Sequence, residues 1–147
     1  LTNKDEKFLT KLGATSIMKR DSFNYSKNPL SKQKWQGAID TVGGEILSTI
    51  LAETMYDGIV VSTGLAKSAT LNTTVYPFIL RNITLSGIDC VYASYTKRVN
   101  AWKFLEKYLD KRVLKKIKIS KSFNDLHDIS NQILKGEIRG RTLIKVI

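Results

Sequence analysis

Cys90 and His127 are the whole stock of thiol and imidazole in this chain. A catalytic cysteine needs a base or a cation beside it, and a lone free cysteine reads first as a small buried hydrophobe. His127 stands among polar neighbours in Asp125-Leu126-His127-Asp128 and reads as a solvated helix-face histidine rather than a general base. The usual zinc sets draw three or four ligands from His and Cys, so a structural zinc site is excluded and no metal ligand is assigned. A single cysteine cannot close an internal disulfide, which fits a reducing compartment.

Two glycine-rich segments offer more. Asp40-Thr41-Val42-Gly43-Gly44 and Ser62-Thr63-Gly64-Leu65-Ala66 each set small residues directly after a compact apolar run. In open parallel sheets ligands bind beyond the carboxyl ends of the strands, and glycine lets the backbone approach a flat ring or a sugar closely. The same glycines equally suit tight turns. Neither G-x-G-x-x-G nor a P-loop occurs, so the phosphate cradle that opens a dinucleotide-binding fold is not in this chain.

Charge is the third feature. The net charge is +11, and between Lys97 and Lys121 ten basic residues face only Glu106 and Asp110. Val99, Trp102, Leu105 and Leu109 recur there at helical spacing, which assigns the lysines to the solvent face of an amphipathic helix. Such a stretch can hold nucleic acid or an acidic partner, but it carries no recognised nucleic-acid motif and its aromatic residues are expected in the core. The same field suits a phosphorylated small molecule such as coenzyme A or a dinucleotide.

The elements that must position these residues follow from pattern. With 147 residues, 42% hydrophobic and 25% charged, the chain is the size and composition of about one globular domain. Lys4 to Leu12 predicts a helix stopped by Gly13, Ser16 to Lys19 a short strand, and residues 21–34 a loop. Gly37 to Val42 predicts a strand, Ile46, Leu47, Ile50 and Leu51 the buried stripe of a helix, Gly58 to Thr63 a second strand and Ile83 to Val91 a third. Strands apolar on both faces and alternating with a helix point to a parallel sheet in an α/β layer fold. Beyond a change of pattern near Ala93, a long helix from Tyr95 to Lys111 is expected. A second helix, capped by Ser122 or Asn124, carries Leu126, Ile129 and Ile133 before Gly136, and Thr142 to Ile147 closes as a strand. No apolar run approaches the roughly 20 residues that cross a bilayer, and no export signal opens the chain, so it reads as soluble and cytoplasmic with no membrane partner.

Taken together, Trp35-Gln36-Gly37-Ala38-Ile39-Asp40-Thr41-Val42-Gly43-Gly44, Ser62-Thr63-Gly64-Leu65-Ala66, Thr73-Thr74-Val75-Tyr76-Pro77-Phe78-Ile79-Leu80-Arg81-Asn82 with Gly87-Ile88-Asp89, and Gly140-Arg141-Thr142 resemble one family. It is the acrylyl-CoA reductase and quinone oxidoreductase-like branch of the medium-chain dehydrogenase/reductase superfamily. The resemblance covers essentially the whole chain and implies only the later part of a complete member. Residues 1–93 would be the later part of an NADP-binding Rossmann domain, with a partial parallel sheet and flanking helices. Residues 94–147 would be an α+β tail returning to the catalytic domain. The missing initiator Met fits such a piece, and an edge and an apolar face of the sheet would then stand bare.

The resemblance further implies a zinc-independent enzyme that uses NADPH to reduce an activated carbon–carbon double bond of an enone, a quinone or an acyl-CoA thioester. It assigns Thr2, Asn3 and Lys4 to the adenosine ribose and its 2′-phosphate, and Thr41 and Val42 to the adenine side. Gly64, Leu65 and Ala66 become a backbone shelf near the nicotinamide; Ile88 and Asp89, with Cys90, the strand end facing its carboxamide; and Arg141 a basic residue near the cofactor or substrate phosphate. Lys67 and Cys90 depart from the family's common Gly and Ser. Catalytic acid and oxyanion donors are implied on the absent half, so no catalytic residue is named and the isolated piece is expected to be inactive. A homodimer through Ile83 to Val91 is implied too. The rival reading from the residues is a basic module for nucleic acid or an acidic partner.

Overall fold

The chain opens on helix α1, Asn3–Lys11, with acidic Asp5 and Glu6 in its first turn and Lys11 in its last, the arrangement that complements the helix dipole. Gly13, at φ 108°, takes the left-handed geometry that ends it. The computed structural model describes residues 3–19 and 22–146, and side chains from residue 5 onward. The strand expected over Ser16 to Lys19 does not form. A strand exists only by pairing, and no neighbour among the described residues pairs with this segment.

The next elements are β1 (Trp35–Asp40), α2 (Gly44–Glu53), β2 (Thr54–Ser62), α3 (Tyr76–Arg81) and β3 (Thr84–Gly87). The three strands lie parallel in the order β1-β2-β3, with Ala38 opposite Val60 and Val60 opposite Leu85. This is the α/β architecture expected, with a parallel sheet and flanking helices. The third strand is shorter than Ile83 to Val91, because the ladder to β2 ends at Ser62 opposite Gly87. Helix α3 was not expected; its signals are Pro77 in the first turn and Asn82 at φ 50° after the last.

The core occupies one face of the sheet. Leu47 and Leu51 of α2 meet Val60 and Ile83, with Ala38, Ile50, Phe78 and Leu85 packed around them. Side chains alternate across a strand, so the residues beside Val60 point the other way: Val60 is 0% exposed, whereas Ile59 is 52% and Ile39 77% exposed. Burial of both faces is therefore not what the described residues show. Two charged side chains, Arg81 and Glu53, add polar ties around the end of α2. Arg81 Nη1 donates to the carbonyls of Ala52 (2.9 Å) and Thr54 (3.1 Å), and its Nη2 to that of Ser31 (2.6 Å). The buried Glu53 carboxylate accepts from Lys34 Nζ at 2.5 Å and Trp35 Nε1 at 3.0 Å. Arg81 thereby satisfies the Ala52 carbonyl, which the end of α2 leaves without an intrahelical partner. Leu51→Ala, a truncation at a fully buried position, is expected to lower stability by about 2–5 kcal/mol with an unchanged denaturant slope in urea unfolding.

The later elements are α4 (Tyr95–Tyr108), α5 (Lys111–Ile117), β4 (Lys118–Ser122), a short 3₁₀ turn (Phe123–Asp125), α6 (Leu126–Leu134) and β5 (Arg141–Lys145). The expected long helix breaks before Lys111 because Asp110 turns extended and its carboxylate caps α5, accepting from the Arg112 N–H at 2.8 Å. The side chain of Arg112 beside it, with that N–H, holds the Asp110 carboxyl below its ordinary range. Ser122 closes a capping box with Asp125, as its type suggests. Strand β4 was not foreseen; it pairs in parallel with β5, Lys118 opposite Arg141. Helix α4 buries no residue, and Trp102 (71%), Phe104 (63%) and Tyr108 (61%) are exposed, which overturns the expectation that its aromatics serve a core.

The chain groups into two compact units, Phe23–Tyr95 on the one hand and Leu1–Ser22 with Thr96–Ile147 on the other. One boundary lies close to the change of pattern at Ala93, while the first 22 residues group with the tail. No helix among the described residues is long and apolar enough to cross a membrane.

Candidate functional site

Where β1 ends, the Asp40 carboxylate is 2% exposed and folds the chain back by accepting from the N–H groups of Val42 (3.1 Å) and Gly43 (3.0 Å). Gly43, at φ 71° and ψ −163°, then leads into α2 in a conformation open to glycine almost alone. The loop after β2 lies against this turn. Thr63 donates its N–H to the Asp40 carbonyl (2.8 Å), Ala66 to that of Thr41 (3.2 Å) and Lys67 to that of Val42 (2.9 Å). On the other side, Ile88 donates to the Ser62 carbonyl at 3.0 Å. Main-chain pairing thus runs on beyond the strands and fixes three loops side by side at the carboxyl edge of the sheet.

Between two of these loops opens a recess of about 490 Å³, lined by Ser62, Thr63, Gly64, Leu65, Gly87, Ile88 and Asp89. Its volume falls in the range of small-molecule sites. Glycine is required on its β2 side, since a Cβ on Gly64 would stand 2.6 Å from the Thr41 carbonyl oxygen. Leu65 and Ile88, both more than half exposed, supply apolar walls that suit the face of a flat ring. Asp89 Oδ1 is turned to its own loop, accepting from the N–H groups of Val91 (2.8 Å) and Tyr92 (3.2 Å).

Of the residues singled out from sequence, Gly64, Leu65, Ile88 and Asp89 therefore meet at one recess. Thr41, Val42 and Ala66 are not among its lining residues; the Thr41 and Val42 carbonyls accept from the Ala66 and Lys67 N–H groups of the adjoining loop. Ser62 and Thr63, from the glycine-rich segment singled out above, line the recess as well, with Gly87; the register Ser62 opposite Gly87, a non-local pairing, brings the two sides together. Arg141 belongs to the other unit and is exposed at the first position of β5. The assignments to Asn3 and Lys4 concern side chains outside those described, and Thr2 lies outside the described residues. Cys90 is exposed rather than buried, because the chain leaves the sheet before reaching it. His127 is solvated on α6, with Nε2 3.3 Å from Asn131 Nδ2. Among the described residues no group of three His, Cys, Asp or Glu side chains could hold a metal ion.

Comparison with known proteins gives a consistent picture. The chain is 42% identical over 139 residues to the protein named probable acrylyl-CoA reductase AcuI of Escherichia coli (strain K12), covering 95% of this chain and 43% of that protein. It is 39% identical over 140 residues to acrylyl-CoA reductase AcuI of Ruegeria pomeroyi, covering 42% of that protein's length. Among solved structures, the yhdH oxidoreductase from Salmonella enterica in complex with NADP superposes with a TM-score of 0.90 at 39% identity, over 99% of this chain and 45% of that one. The Bacillus subtilis protein yhfP with NAD bound superposes at 0.89 with 34% identity, again over 45% of its chain. No family model matches the chain. It spans less than half the length of the curated relatives it matches.

Proposed function

We propose that this chain, which resembles the acrylyl-CoA reductase and quinone oxidoreductase-like branch of the medium-chain dehydrogenase/reductases, is the nicotinamide-holding part of a zinc-independent NADPH-dependent oxidoreductase. The observation that carries the reading is the glycine-lined recess at adjoining carboxyl ends of a parallel sheet. Its fit to a nicotinamide rests on the close backbone at Gly64, the apolar walls of Leu65 and Ile88, and a volume that admits a ring and its sugar. Thr41 and Val42 take the adenine side, Gly64, Leu65 and Ala66 the shelf under the nicotinamide, and Ile88 and Asp89 the edge by its carboxamide. Asn3, Lys4 and Arg141 are assigned to the phosphate-bearing parts of cofactor or substrate.

NADPH, when bound, would supply a hydride from C4 of its nicotinamide to the β-carbon of an enone or an enoyl thioester, with the α-carbon taking a proton and NADP⁺ left behind. The residues of this chain contribute position. The three loops are locked by main-chain bonds, so the shelf is set before the ligand arrives and little ordering is needed on binding. A cytoplasmic location and a homodimer through the Ile83–Val91 region, which includes edge strand β3, belong to the same reading.

A second reading is favoured by one observation: the exposed Trp102, Phe104 and Tyr108 stand within the basic Lys97 to Lys121 stretch, the mixture that binds nucleic acid or an acidic partner. Titration of the protein carrying this chain separates the two. Quenching of NADPH fluorescence, saturable and stronger than any effect of NADH, is the expected result. Salt-dependent retardation of DNA without an NADPH response would replace the first reading with the second.

A further inference from the structure

Lys67 directly follows the Gly64-Leu65-Ala66 segment, and its side chain joins three separate pieces of the Phe23–Tyr95 unit. Its Nζ lies 3.1 Å from Glu45 Oε2 in the first turn of α2, and it donates to the Tyr25 hydroxyl at 3.4 Å. The same ammonium stands 4.6 Å from the centroid of the Tyr25 ring, within cation–π range. Tyr25 is itself propped edge-on by Phe23, with ring centroids 5.5 Å apart. The backbone of Lys67 is already tied to the end of β1 through the Val42 carbonyl, and the next residue, Ser68, bridges to Gly43.

We propose that Lys67 is a positioning residue for the Gly64–Ala66 shelf, acting as a tether that clamps the loop after β2 onto Glu45 and Tyr25. The inference rests on the cofactor reading above for its functional consequence, and on geometry alone for the tether. An exposed ion pair by itself holds little. Here one ammonium serves a carboxylate, a phenol and a ring from two other segments, so releasing it removes the side-chain link between the loop and the start of α2 and leaves only the main-chain bonds. Hydrogen bonds to Glu45 first and Tyr25 next keep the ammonium protonated above its ordinary range. A raised folded value means the contact is complete below the ordinary lysine pKa and is lost only as pH rises through the raised one. The tether is therefore indifferent to pH across the neutral range. No other charged group shares a hydrogen bond or ion pair with this ammonium among the described residues.

The test compares wild type, Lys67→Met, Lys67→Arg and Glu45→Gln in the protein carrying this chain, by amide hydrogen exchange over residues 62–68 and by NADPH fluorescence titration. Lys67→Met is expected to speed exchange at the Ala66 and Lys67 amides and to raise the NADPH Kd, each by about two- to fivefold. The melting temperature should barely move. Lys67→Arg should restore both, since a guanidinium can pair with the carboxylate and stack on the ring. Glu45→Gln should fall between. Wild-type exchange in Lys67→Met, or a Lys67→Arg variant as loose as Lys67→Met, overturns the tether. Faster exchange with unchanged NADPH affinity overturns its role at the shelf. Failure of the wild type to bind NADPH removes the cofactor reading instead, and the exchange comparison then decides on the tether alone.

Discussion

Gly43→Ala should lower stability by about 3 kcal/mol or more, a large share of the roughly 5–15 kcal/mol that keeps a domain folded. Two effects combine. At φ 71° and ψ −163° the residue sits in a region that a Cβ makes unfavourable, and that Cβ would lie 2.2 Å from the Ser68 carbonyl oxygen. The obstacle is backbone, so relief requires the loop after β2 to lift off the turn after β1. Urea unfolding and soluble yield measure the outcome. A midpoint within experimental error of wild type would show that the two loops are not pressed together as described.

Gly64→Ala is the larger effect on binding. No positive φ strains this position, so the penalty comes from the contact of 2.6 Å that a Cβ would make with the Thr41 carbonyl oxygen. The ends of β1 and β2 must part, an overpacking penalty of about 1–3 kcal/mol, and the shelf moves with them. NADPH affinity is expected to fall about five- to a hundredfold. Gly87→Ala is the informative companion. A Cβ there meets nothing within 4 Å, so the fold should tolerate it, yet the residue lines the same recess. Weaker NADPH binding with unchanged stability in Gly87→Ala would report the ligand's own need for that space. Equal affinity in both variants and wild type would take the recess out of the cofactor site.

How far this was legible in sequence depends on what each residue's signal measures. Ile46, Leu47, Ile50 and Leu51 at helical spacing predict α2, and of these four Leu47 and Leu51 are buried in the structure. Strand β4 gave no such signal. All five residues of Lys118–Ser122 are exposed, so pattern carried nothing and pairing with β5 alone makes it a strand. The break before Lys111 was hidden because apolar spacing continues past it; the cap at Asp110 decides the matter, and a single Asp is an ambiguous cue. At the recess, glycine placement disclosed two of the strand ends. The neighbours Ser62 and Gly87 depend on register between strands more than twenty residues apart, a property of the sheet rather than of either segment.

The unit made of Leu1–Ser22 with Thr96–Ile147 draws its parts from both sides of the intervening one. Arg139 donates to Asp5 of α1, and β4 finds its partner only in β5. During synthesis, the residues of Phe23–Tyr95 all emerge before Thr96–Ile147. The Asp5–Arg139 pair can close only after the intervening chain is made, a delay of about 10 s at ordinary elongation rates. Slowing translation after Tyr95 should therefore lengthen the time before Asp5 can meet Arg139.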